Sequence, residues 1–297
     1  MNLRYFTLLI VIPFIVSSSV AQQSEAQNNA ALHSDGTQNP DFLPGGLVFP
    51  PIIANVYEGR AGFVIENGED QLRLDIGASV DVLAWRGVFA DGDMLSLGAD
   101  FFTWTSLREE QDFHFPVDAV DYLFGLNASY SNPLGDDLTL QSRFRLSHIS
   151  AHLADGRYNK ETGEWLDGRL PIVYSREFFE WLMAMDFDNT LRLYLGPTYI
   201  YHIDPPDLGK FAFQVGAEVA ATDVVNDWLT PYAAYDLRLV KVTEYVANHS
   251  AQIGVKFGAW HGRGLNVFIA LYNGMSYHGE YYDLRASYWG PGVTVDL

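Results

Sequence analysis

The sequence predicts an all-β fold, a transmembrane antiparallel up-and-down β-barrel of about 12 strands, on three observations. Apolar and polar residues alternate with a period of two, most alternating segments exceed about ten residues, and no segment after the N-terminus is apolar enough to cross a bilayer as a helix. Strands of soluble proteins usually run about five or six residues, so the length points to long, tilted strands crossing a bilayer. A soluble β-sandwich is the competing architecture; abundant Trp, Tyr and Phe near the strand ends favour the barrel, because aromatic girdles collect at membrane interfaces.

The N-terminus supplies the route to such a membrane. Arg4 precedes the apolar run Tyr5 to Val16, and Ser19-Val20-Ala21 offers a small-x-small cleavage site, so residues 1–21 read as a secretory signal peptide. Residues 22–45 are rich in Gln, Asn, Ser, Ala and Asp and read as a flexible lead-in. Residues 46–297 show no further linker or repeat and are assigned to the barrel. There is no cysteine, which excludes disulfides and thiolate chemistry, and a net charge of -19 argues against nucleic acid as a partner.

The clearest strand is Leu72 to Trp85, where Leu72, Leu74, Ile76, Ala78, Val80, Val82 and Ala84 share a parity opposite to Arg73, Asp75, Ser79 and Asp81. Similar alternation places strands at 59–66, 71–85, 94–106, 117–131, 136–150, 173–186, 190–202, 210–221, 229–240, 248–258, 264–275 and 283–296. Short turn-forming links at Asn132-Pro133-Leu134-Gly135 and Phe187-Asp188-Asn189, against the long 151–172 connection, suggest periplasmic turns and extracellular loops; the first hairpin fits this alternation less well. The polar parity predicts a lumen charge network of Arg73, Asp75, Asp81, Arg143, Arg145, Glu180, Arg192, Glu218, Asp236 and Arg238, joined by Lys256 and Arg285. Charges inside a narrow barrel persist only if paired or hydrated.

Two stretches carry candidate chemistry. In "LSHISAHLADGRY", Leu146 to Tyr158, His148 and Ser150 continue the parity of Leu138, Leu140, Phe144 and Leu146 and so face lipid near the outer rim. Residues two apart on a strand share a face, so His148 is placed to serve as general base toward the Ser150 hydroxyl, given a third group to orient the imidazole. In "LYNGMSYHGEYY", Leu271 to Tyr282, the side chains Ser276, His278 and Glu280 join His152 and Asp155 as a candidate extracellular rim cluster. No spacing signature for a metal or nucleotide is present, so no cofactor and no metal are expected.

The His148-x-Ser150 pair resembles the His-x-Ser of outer-membrane phospholipase A and of the lipid A deacylases. On a wider span, "FPPIIANVYEGR" at 49–60, "HISAHLADGRY" at 148–158 and "YNGMSYHGEYY" at 272–282 resemble the bacterial domain-of-unknown-function family numbered 1207, with similarity over nearly the whole mature chain. His148, Ser150, His152 and Asp155 match its first motif, with Ala154 where glycine is usual; Tyr272, Gly274, Ser276, His278 and Gly279 match the second. The resemblance implies an outer-membrane β-barrel and no established activity. The expectation is therefore a barrel of unassigned activity in the outer membrane of a Gram-negative bacterium, with envelope lipids and the barrel-assembly machinery as partners and an unassigned oligomeric state. A lipid hydrolase or deacylase using His148 and Ser150, and a channel with a charged lumen, are the alternatives.

Overall fold

Twelve antiparallel strands close into a ring in the computed structural model, which describes residues 39–68, 71–110, 112, 114–222, 228–242 and 244–296. The expected signal peptide and most of the lead-in lie outside the described residues. In chain order the barrel strands are β1 (Ala61–Glu66), β2 (Gln71–Arg86), β3 (Met94–Arg108), β4 (Val117–Pro133), β5 (Leu138–Leu153) and β6 (Tyr174–Phe187). They continue as β7 (Leu191–Asp204), β8 (Phe211–Ala220), β9 (Leu229–Lys241), β10 (Tyr245–Gly258), β11 (Gly264–Met275) and β12 (Arg285–Asp296). Each pairs with its sequence neighbour, and β12 closes on β1 through Gly292↔Val64 to Val295↔Ala61. No helix among the described residues is long and apolar enough to cross a membrane; the apolar surface belongs to the strands.

That surface inverts the soluble arrangement. Leu126 is 64 % and Trp181 49 % exposed, whereas Arg145 is 1 % and Glu180 3 % exposed. Apolar side chains face out and ionised ones face in, which water would not stabilise and a hydrocarbon surround would. The sequence-predicted lumen residues all point inward and are buried, with two corrections to the pattern. Arg285 is exposed, because the inward parity of β12 belongs to Tyr288, Gly290, Gly292 and Thr294. Ala84 turns inward instead of continuing the Leu72 face, because an irregularity in register between Asp81 and Leu83 shifts the parity.

The lumen is not left to the strands. Residues 45–60 run inside the barrel as an irregular segment whose backbone groups are satisfied by lumen side chains, as a buried segment without secondary structure requires. The Val48 N–H donates to Asp81 Oδ2 (2.7 Å) and the Ile53 N–H to Glu218 Oε1 (2.6 Å), while Arg192 and Arg73 donate to the carbonyls of Pro50 (3.0 Å) and Val56 (2.7 Å). Phe49 and Ile52 pack on Leu182, Ala184 and Tyr194, and the Phe49 ring lies under both Arg143 and Arg192. Burying two such side chains contributes about 1.5–3 kcal/mol each. Residues 46–60, which the sequence assigns to the barrel domain, are thus largely an internal plug, and the first strand begins at Ala61 where the alternation sets it at 59.

Glu58 completes the charge network. Its carboxylate meets Arg143 at 2.5 Å and Arg145 at 2.8 Å, and Arg145 also reaches Asp100 at 3.2 Å and Glu180 at 3.5 Å. Arg73 pairs with Asp75 at 2.6 Å and Arg192 with Glu218 at 3.5 Å, while Asp236 accepts from Tyr194 and Gln214. From the end opposite the chain terminus, the β11–β12 loop folds inward and buries Tyr277, His278 and Glu280.

Candidate functional site

The outward faces of β5, β6 and β7 converge at the end of the barrel opposite the C-terminus. His148 lies opposite Phe124 on β4 and opposite Glu177 on β6, and its ring stacks at 4.8 Å from the Phe124 ring. Nδ1 of His148 lies 2.6 Å from Glu177 Oε1, and the other carboxylate oxygen lies 2.6 Å from Nδ1 of His202. The third group that the sequence left unnamed is therefore Glu177, supplied by the neighbouring strand twenty-nine residues on.

A β-bulge builds this arrangement. Along β7 the residues Arg192, Tyr194, Thr198 and Ile200 point inward, and unbroken alternation would send His202 after them. The register shift between Ile200 and His202 inserts one residue, so Tyr201 and His202 are both exposed and His202 falls opposite Glu177. Bulges beside functional groups commonly re-aim a side chain in this way.

With Glu177 accepting at Nδ1, that nitrogen carries the proton and Nε2 is left as the basic one. Ser150 shares the outward face of β5 with His148, one alternation further toward the strand end. No hydrogen bond joins the Ser150 hydroxyl to the imidazole among the described residues. The Ser150 hydroxyl, the His148 imidazole and the Glu177 carboxylate are thus on one surface, with only the imidazole–carboxylate contact already made.

The rim cluster of His152, Asp155, Ser276, His278 and Glu280 is not brought together. His152 points outward against the Tyr122 ring at 5.9 Å, and Asp155 sits exposed in a short 3-10 turn. Strand parity and the inward fold of the last loop send the others to the interior instead. There His278 Nδ1 lies 2.7 Å from Asp121 Oδ2, and the Ser276 hydroxyl accepts from the His278 N–H at 3.2 Å. Glu280 accepts the N–H groups of Leu153 (3.1 Å) and Ile172 (3.2 Å), tying the 154–173 connection to the last loop. Burial pushes the Glu280 carboxyl above its ordinary range against those two hydrogen bonds. Its role is to anchor backbone, not to meet solvent. No group of three or more ligands suited to a metal ion occurs among the described residues.

Geometry and topology together define a plugged twelve-stranded barrel of the outer-membrane type with a His–Glu pair on its outer wall. Residues 121–296 match the model of the family described as "Protein of unknown function (DUF1207)", and the chain belongs to that family. The match includes the motifs at 148–158 and 272–282 and begins after the 49–60 stretch. A search of curated proteins by sequence finds no match.

Among solved structures, an active-site mutant of outer membrane phospholipase A from Escherichia coli is similar at 13 % identity, covering 91 % of this chain and 96 % of that one, with a TM-score of 0.50. Another Escherichia coli structure of that phospholipase gives 14 % identity, 76 % and 80 % coverage and 0.48. A calcium-bound dimer of the Salmonella typhi phospholipase gives 13 %, 83 % and 93 %, and 0.49. At such identities the likeness speaks to the fold alone.

Proposed function

We infer that this barrel resides in a bacterial outer membrane and hydrolyses acyl esters of membrane lipids, with Ser150 as nucleophile, His148 as general base and Glu177 as the orienting carboxylate. The observation that carries this reading is the 2.6 Å contact of His148 Nδ1 with Glu177 on the same lipid-facing surface as Ser150. A lipid ester in the adjoining leaflet reaches such a wall without entering the lumen. The likeness in fold to a phospholipase agrees with that placement without adding to it.

In the reaction the Ser150 hydroxyl attacks the ester carbonyl while His148 Nε2 takes its proton. Glu177 holds the imidazole and stabilises the imidazolium that forms; His202, on the other carboxylate oxygen, holds Glu177 in place. The imidazolium then returns the proton to the departing alcohol. Water, deprotonated by the same nitrogen, attacks the acyl-serine and releases the fatty acid. Residues two apart on a strand are roughly 7 Å apart at Cα, so the serine–imidazole contact closes by side-chain rotation as substrate binds. A channel finds no comparable support, because the plug and the last loop occupy the lumen from opposite ends.

The test uses the full chain in detergent micelles with diacyl phosphatidylethanolamine, and mass spectrometry of the released fatty acid. Release by the wild type and its loss in Ser150→Ala are expected. No release from this or other envelope lipids, or equal release by Ser150→Ala, overturns the reading.

A further inference from the structure

A pocket of about 50 Å³ opens inside the barrel at the end opposite the C-terminus, and its lining has an unusual charge balance. Its polar side is formed by Tyr57, Tyr174, Arg176, Arg238, Lys241 and Asn248, with no Asp or Glu in the lining. Ile200, Ile203 and Leu208 form the apolar side. In a chain with a net charge of -19 this is a cationic pocket.

Most other lumen guanidiniums meet a carboxylate, and Arg60 is spent on the carbonyls of Ile52, Ile53 and Asn55. Arg73, Arg143, Arg145 and Arg192 are ion-paired, and Arg238 lies 3.7 Å from Glu180. Arg176 is different: among the described residues no carboxylate lies within ion-pair distance of it, Asp121 acting only from farther off, and its guanidinium hydrogen-bonds the Tyr57 side chain and lies over the rings of Tyr57 (4.9 Å) and Phe178 (5.8 Å). Arg238 covers the same Tyr57 ring at 5.0 Å. Arg238 also donates Nη2 to the Thr198 hydroxyl (3.3 Å), and with Arg176 bonded to Tyr57 each cation keeps part of its in-plane donor edge for another acceptor. Nε of Arg176 and Nε of Arg238 are both buried without a hydrogen-bond partner, as Nε of Arg143, Arg145 and Arg192 is, but only these two line the pocket. An inward cation without a close counter-charge is costly, whereas a planar donor edge beside a second guanidinium suits a phosphate oxygen pair.

We propose that this pocket binds a phosphate group, either free orthophosphate or the headgroup of a phospholipid, held between Arg176 and Arg238 with Lys241 at its mouth. The pocket has room for one such group. Nothing in this binding involves Ser150, which faces the opposite side of the wall.

Isothermal titration of the full chain with inorganic phosphate, in phosphate-free zwitterionic detergent, tests the site. Saturable binding is expected, weakened about tenfold or more by Arg176→Gln and less by Arg176→Lys, which keeps charge but loses the planar fork. Lys241→Glu inverts a charge at an exposed position and is expected to weaken binding even if Arg176→Gln fails to fold. Native mass spectrometry of protein extracted from its membrane identifies the source. Phospholipid retained by wild type and lost in the variants marks a headgroup, and phosphate binding without retained lipid marks the free ion. Absence of both, or equal phosphate binding by wild type and the folded variants, overturns the proposal.

Discussion

The Glu58 carboxylate lies 2.5 Å from the Arg143 guanidinium, both fully enclosed by the barrel, and this contact ties the plug to the wall. Removing one member of a buried pair leaves the other charge uncompensated and costs about 3–5 kcal/mol. Glu58→Gln keeps the shape and deletes the charge, leaving Arg143 and Arg145 to share Glu180 and Asp100. Denaturant unfolding of the detergent-solubilised protein is expected to show a loss of that size. An unchanged midpoint would mean that the plug does not contribute to barrel stability.

Acid should reproduce that loss. Burial by itself raises the Glu58 carboxyl, but the Arg143 and Arg145 guanidiniums outweigh it and take the value from 4.5 down to about 2. A folded-state value below the unfolded one means that folding favours the ionised form, so the contribution is complete above about 4.5 and is lost as pH falls toward about 2. Melting temperatures across that window should fall more steeply for wild type than for Glu58→Gln, which has no such group to protonate. Parallel curves for the two proteins would refute the linkage.

Strand placement was legible because the bilayer imposes a strict period of two on long segments, and the ends agree with the alternation to within about three residues. The outward parity of His148 and Ser150 was legible for the same reason. Three features were not. Glu58 lies outside any alternating segment, so nothing local marks it as the partner of Arg143. Glu177 shares the outward face with apolar neighbours, and only the β5–β6 register sets it beside His148. The placement of His202 depends on a bulge, a one-residue insertion that leaves no periodic trace. What remained hidden was cross-strand register and the path of irregular chain; the carbonyl-and-carboxylate needs of 45–60 give the one usable signal, two adjacent prolines in an apolar run that no strand accommodates.

Glu177→Gln separates orientation from packing at the outer wall. The amide retains the volume and a hydrogen bond but removes the charge that stabilises the imidazolium, and it can hold the ring in the wrong tautomer. Lipid hydrolysis is expected to fall by about 100-fold or more. A change in melting temperature with no change in rate would reduce Glu177 to a structural bridge between two histidines.

The closing seam between β12 and β1 offers a test of the barrel itself. Gly290 lies on the inward face of β12, and a Cβ there would stand 1.5 Å from the carbonyl oxygen of Ile65. Backbone, not a flexible side chain, blocks that space, so Gly290→Ala must push the two strands apart where Val64, Phe63, Gly62 and Ala61 pair with β12 and Asn67 adds one bridge to Trp289. The seam is short because β1 has 6 residues against 12 in β12, leaving few ladder bonds to absorb the strain. The variant is expected to fold in lower yield and to lose its compact, heat-modifiable mobility on unheated gels at a lower temperature than wild type. Gly135→Ala provides the contrast: it sits at a positive φ of 81° with open space around it, so it strains one turn without touching the seam. If both variants lower the transition equally, the seam is no weaker than the turns, and closure is carried by the rest of the ring.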